Sequence, residues 1–99
     1  MQTKDLFVIG KFQTAKKVTL RENVVFYEMI INISETEIPN WIKFEVWKKD
    51  LITRMQKNYY RVYDAIQVRF ELKGNFNDKT KNYYVKLRAN DIVPFRDNQ

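Results

Sequence analysis

In "NWIKFEVWKK", residues 40–49, Trp41, Lys43, Glu45 and Trp47 fall on one parity, and Ile42, Phe44 and Val46 on the other. In an extended chain the second set makes an ordinary core face. The first set turns both tryptophans of the chain toward solvent with a lysine between them. Flat rings and interposed cations suit an unstacked polyanion: bases stack on the rings, each contributing roughly 1 to 3 kcal/mol, and phosphates meet the cations. The same mixture recurs downstream on the outer parity, as Arg69 and Lys73, then as Tyr84, Lys86 and Arg88. Phe76 stands in the polar stretch "NFNDKTKN" with no core role, beside Lys79, and Lys16 and Lys17 stand in the basic stretch "AKKVTLREN". A single outward aromatic is as often packed under a loop or in a subunit interface. Three consecutive strands carrying the mixture on one parity favour a ligand.

The totals agree with that chemistry and exclude others. The formal net charge is +6 and the pI about 9.6, which favours a polyanionic partner. With neither histidine nor cysteine, the chain has no imidazole base, no thiolate, no Ser-His-Asp arrangement and no His or Cys metal site. It has no glycine-rich phosphate loop either. Glu71-Leu72-Lys73 has the acidic-x-Lys look of some metal-dependent nucleases but lacks an upstream Pro-Asp, and Glu35 and Glu37 read as solvating charge in one loop. No catalytic residue, metal or cofactor is expected.

These side chains need a scaffold of short strands. Ninety-nine residues make one domain, 1–99, with a single modest core. Strands are predicted at 6–12, broken by Gly10, at 24–33 and at 41–47; a helix of two to three turns follows Asp50 as N-cap. Two more strands follow at 65–74 and 83–93, separated by a polar turn at 75–82. Residues 15–23 read as a basic connection, extended in part. Ile66, Val68, Phe70 and Leu72 are expected inside, as are Val85, Leu87 and Ala89. Tyr83 falls on the inner parity, and Tyr59, Tyr60 and Tyr63 read as core or edge packing. Phe26 and Ile30 point outward, as an extension of the platform or as a dimer surface. The order β-β-β-α-β-β fits an all-β fold, a five-stranded OB-fold Greek-key barrel with one short helix between strands 3 and 4. A half-open sandwich fits the same pattern. In an OB barrel the ligand face is strands two and three with the first-to-second and fourth-to-fifth loops, the elements that hold the candidates above. No apolar run approaches the roughly 20 residues of a membrane span. The start "MQTKDLFVIGKF" lacks the long apolar run of a signal peptide, so the cytoplasm is the expected location.

The motifs in order resemble those of the bacterial and phage single-stranded-DNA-binding proteins, built on an OB fold. "VIGKF" is similar to the family's opening strand, "VFYEMII" to its second, and "WIKFEVWKKDL" to its third strand running into the helix. "IQVRFELKGNFNDKTKNYYVKLRANDI" is similar to its long hairpin. The resemblance implies that Trp41 and Trp47 are base-stacking aromatics and that Lys43 is the phosphate contact between them. It also implies that Phe76 stacks bases on the hairpin beside Tyr84, and that the chain forms a homodimer or homotetramer. Three features depart from the pattern: the Asp-Pro after the first strand is "QTAKKV" here, the usual Gly after the third strand is Lys48, and "PFRDNQ" stands where an acidic tail is usual. This reading makes the chain a short form that binds single-stranded DNA in replication or recombination, in a bacterial cell or a phage-infected host. The residues do not separate DNA from RNA. The competing reading is an OB-type assembly module that binds protein through Phe26, Ile30, Trp41 and Trp47. The predicted outward register makes Trp47→Ala a binding variant that leaves folding intact.

Overall fold

A computed structural model describes residues 6–95. Its elements are β1 (Leu6–Arg21), β2 (Val24–Asn32), β3 (Trp41–Val46), α1 (Lys49–Gln56), β4 (Ala65–Asn77) and β5 (Asn82–Pro94). The strands close into a barrel in the order β1-β2-β3-β5-β4, with all neighbours antiparallel except β3 and β5. This is the five-stranded OB barrel with its helix between β3 and β4. The readings at the chain's two ends, a start without a signal peptide and the stop at "PFRDNQ", fall partly on residues outside those described.

Closure depends on β1, which is one long strand rather than a short strand and a basic connection. Leu6–Lys11 pair with β4, and Lys11–Arg21 pair with β2. The strand changes partner around Gly10, where a Cβ would lie 2.8 Å from the carbonyl oxygen of Asn32. Only glycine permits that approach of two backbones. Breaks in register at Gln13 and Leu20 add bulges that bend the strand around the core. Lys16 and Lys17 therefore lie in a strand. Glycine is scarce, so the tight turns use other residues at positive φ: Asn23 between β1 and β2, Asn58 after the helix, and Lys81 in the β4–β5 turn.

The core gathers Phe12, Tyr27, Met29, Ile31, Phe44, Val46, Ile66, Val68, Ala89 and Ile92 from all five strands. Helix α1 adds Leu51 and Met55. The helix begins at Lys49, one residue before the expected cap, and Asp50 sits in its first turn, where its charge suits the helix dipole. Arg54 fastens the helix to the barrel by donating to the Tyr60 hydroxyl at 2.8 Å and to the Ile92 carbonyl at 2.9 Å. Burial pushes the Tyr60 phenol above its ordinary range despite that arginine. Of the three neighbouring tyrosines only Tyr60 is core; Tyr59 and Tyr63 are exposed.

Strands β4 and β5 continue past the barrel as a paired hairpin reaching Asn77 and Asn82. The turn shrinks to residues 78–81, where the Asn77 side-chain oxygen accepts from the amides of Lys79 and Thr80. Phe76 accordingly belongs to β4 and not to a loop. Leu72, Val85 and Tyr83 hold the inward parity the alternation predicts, but the barrel has ended beneath them and all three are exposed, Tyr83 at 84%.

Candidate nucleic-acid interface

Strands β3 and β5 run parallel and pair only at Glu45↔Arg88 and Val46↔Ala89. Before those pairs the two strands diverge, because β5 follows β4 into the hairpin while β3 stays with β2. The divergence opens a groove of about 440 Å³ lined by Glu28, Trp41, Lys43, Glu45, Val85 and Lys86, with Ile42 and Leu87 in its wall. Trp41 stands at one end of the groove with 54% of its surface open.

Cross-strand register places the other candidates. Residues directly opposite each other share a face. Lys16 lies opposite Glu28, Glu28 opposite Glu45, Glu45 opposite Arg88, and Arg88 opposite Glu71. One pleat away on the same face, Lys73 lies opposite Lys86 and Ile30 opposite Lys43. Tyr84, two residues from Lys86, follows on that face with the Lys86 ammonium 5.9 Å from its ring centre. The fold thus brings Trp41, Lys43, Lys73, Tyr84, Lys86, Arg88 and Lys16 to one outer surface, which is half-open to solvent.

Four candidates stand elsewhere or are otherwise engaged. Lys17 lies opposite Tyr27, on the other face of β1 from Lys16. Lys79 is at the hairpin tip. Phe76 lies opposite Tyr83 on the hairpin's second face, and their rings pack at 4.8 Å. Trp47 follows the end of β3 and is half-buried: its ring stacks on Phe26 at 4.4 Å and 10°, and its indole Nε1 donates to the Glu45 carboxylate at 2.9 Å. The Arg88 guanidinium covers the same indole at 5.3 Å. Phe26, expected outward, is buried beneath Trp47, and Glu45, also on the outer parity, is only 8% exposed. Trp47 is therefore a packed residue at the margin of the face.

Sequence reasoning passed over the carboxylates. Glu28, Glu45 and Glu71 share the surface with the lysines, with Lys43 Nζ 3.6 Å from Glu28, Lys86 Nζ 3.3 Å from Glu45 and Lys73 Nζ 3.9 Å from Glu71. Their outward parity was visible in the sequence, but their alignment across strands needs the register. Tyr83 was missed as an exposed aromatic, because parity does not say where a barrel stops. Among the described residues no group of His, Cys, Asp or Glu is placed to hold a metal ion, and no helix is long and apolar enough to cross a membrane.

No protein-family model and no curated protein matches the chain. Solved structures do. The crystal structure of the mitochondrial single-stranded DNA binding protein of S. cerevisiae superposes with a TM-score of 0.75 at 15% identity, covering 100% of both chains. The SSB domain of a Synechococcus sp. protein gives 0.64 at 12% identity over 93% of this chain and 96% of that one. A small single-stranded DNA-binding protein from Streptomyces coelicolor gives 0.60 at 11% identity over 96% of each. At these identities the likeness is one of fold. The chain has the OB fold of such proteins over nearly its whole length, as the order of its sequence motifs implies.

Proposed function

We propose that the chain binds single-stranded DNA without sequence preference and without catalysis. The observation that carries this reading is the exposed Trp41 at the end of a groove flanked by Lys43 and Lys86, with Tyr84 on the same face. Bases stack on Trp41 and Tyr84, while phosphates meet Lys43, Lys73, Lys86 and Lys16. Lys79 at the hairpin tip and Lys17 on the reverse of β1 extend the positive field, and Phe76 offers a further ring on the hairpin's other side. Arg88 acts through the Trp47 indole that it covers. The names of the similar structures, all single-stranded DNA-binding proteins, support the same ligand. We place its work in replication or recombination, in the cytoplasm of a bacterial or phage-infected cell. The assembly-module reading is weakened, because Phe26 is buried and Trp47 is half-covered. Fluorescence anisotropy with labelled oligo(dT), oligo(rU) and a duplex tests the proposal. The single strands bind at low salt and dissociate as salt rises, and equal or tighter binding of the duplex overturns it.

Self-association belongs to the same proposal. On the outer face of β1, β4 and β5, Ile9, Gln67 and Val93 form one transverse row, with Phe7 and Phe95 on either side of it. Phe7, Ile9, Val93 and Phe95 are all exposed there. Apolar clusters of this kind mark association surfaces. Sedimentation equilibrium gives two or four times the 12.1 kDa chain mass for the wild type and a single chain mass for Phe7→Lys/Ile9→Lys. A monomeric wild type contradicts this.

A further inference from the structure

A surface made only to attract phosphate has no use for three aligned carboxylates. Glu28, Glu45 and Glu71 form a row across β2, β3 and β4, with Arg88 of β5 between the last two. Beside it runs a row of Lys43, Lys86 and Lys73, and each lysine reaches to the carboxylate next to it at 3.6, 3.3 and 3.9 Å. Glu28 and Glu45 face each other directly as like charges, and Lys73 and Lys86 do the same. These two like-charged contacts oppose the alignment, and the pairing between rows, with Lys16 opposite Glu28 and Arg88 opposite Glu45 and Glu71, offsets them. Glu45 is held in place, since it is nearly buried and accepts from the Trp47 indole, while the Lys86 side chain is half-exposed. The member of that pair open to solvent is the lysine.

We propose that the carboxylate row occupies the lysine row in the unbound protein, so that a nucleic-acid strand binds this face by exchanging carboxylate for phosphate. The proposal rests on the strand-binding reading of the same face. It has a thermodynamic signature. A lysine that meets a phosphate releases condensed counterions from the strand, which steepens the salt dependence by about 0.7 per contact. A carboxylate left behind attracts cations in turn and cancels part of that release. The paired lysines therefore contribute less to affinity and to salt dependence than their number implies, and the strand leaves the face more readily.

The test compares two variants of equal charge change, Glu28→Gln/Glu45→Gln on the face and Glu35→Gln/Glu37→Gln in the exposed β2–β3 loop. Anisotropy of labelled oligo(dT) is followed over a range of NaCl concentrations, with thermal melts alongside. At position 45 glutamine keeps an oxygen to accept from the Trp47 indole. The face pair is expected to bind at least about ten-fold more tightly than the loop pair at low salt, with a log–log salt slope steeper than wild type by up to about 1.4, from two contacts of about 0.7. Lys86→Ala then costs more affinity in the Glu45→Gln background than in wild type. If the face pair and the loop pair behave alike, or the face pair only melts earlier with unchanged affinity, the carboxylates serve the sheet alone and the exchange is overturned. If Glu45→Gln fails to fold, Glu28→Gln/Glu71→Gln takes its place with the same expected outcome. A wild type that binds no oligo(dT) at low salt overturns the binding reading and the exchange together. A wild type that binds, with matching variants, overturns the exchange only.

Discussion

Trp47→Ala lowers the stability of the fold by about 2 to 3 kcal/mol, somewhat less than the 3 to 5 kcal/mol of a fully buried tryptophan. The ring covers Phe26 in a near-parallel stack, carries the Arg88 guanidinium on its face and donates to Glu45. Truncation exposes Phe26, removes a stacking contact of about 0.5 to 1.5 kcal/mol, and leaves the nearly buried Glu45 carboxylate with Lys86 as its remaining partner. For a domain of this size the loss lowers the melting temperature by roughly 10 to 20 °C. The outcome reverses the sequence-based expectation that this variant folds normally and fails only in binding. An unchanged melting temperature contradicts the packed position of the indole.

Trp41→Ala has the opposite signature. The side chain is largely open at the end of the groove and has no aromatic partner among the described residues, so its removal changes stability by less than about 0.5 kcal/mol. Its loss as a stacking platform weakens oligo(dT) binding by roughly 1 to 3 kcal/mol, which is about 5- to 150-fold. Trp41→Phe retains most of the affinity, because a smaller ring still offers a flat face. Unchanged affinity in Trp41→Ala, with the fold intact, removes this residue from the binding surface.

The two tryptophans show what a period-two reading can and cannot deliver. Alternation put Trp41 and Trp47 on the same side of β3, and the register confirms that side for Trp41 and Lys43. It did not reveal that position 47 lies past the end of β3, next to Phe26 of β2, because Tyr27 pairs with Val46. That contact is set by the pairing of two strands and is invisible in either one. The order of strands and the place of the helix were legible because Ile66 and Val68, or Phe44 and Val46, alternate so regularly. The second half of β1 was not legible. "AKKVTL" is largely exposed, and Gly10 with the bulge at Gln13 interrupts the alternation that would mark one continuous strand. Parity also identified the inward side of the hairpin correctly at Leu72, Tyr83 and Val85. It had no means of telling that no described residue covers that side. The pairing of Lys43 and Lys86 with Glu28 and Glu45 likewise joins residues on three strands.

The most direct test of a strand-binding face between β3 and β5 is a fluorescence titration of Trp47→Phe with poly(dT). In this variant Trp41 is the sole tryptophan emitter, and the phenyl group introduced at position 47 keeps a ring on Phe26. Binding at this face predicts strong quenching at low salt that saturates at a fixed ratio of nucleotides to protein and is reversed by added salt. The companion Trp41→Phe, which emits from the covered Trp47, is quenched far less. If poly(dT) leaves the Trp41 emission unchanged at low salt and shows no association by anisotropy, the chain does not hold single strands on this face.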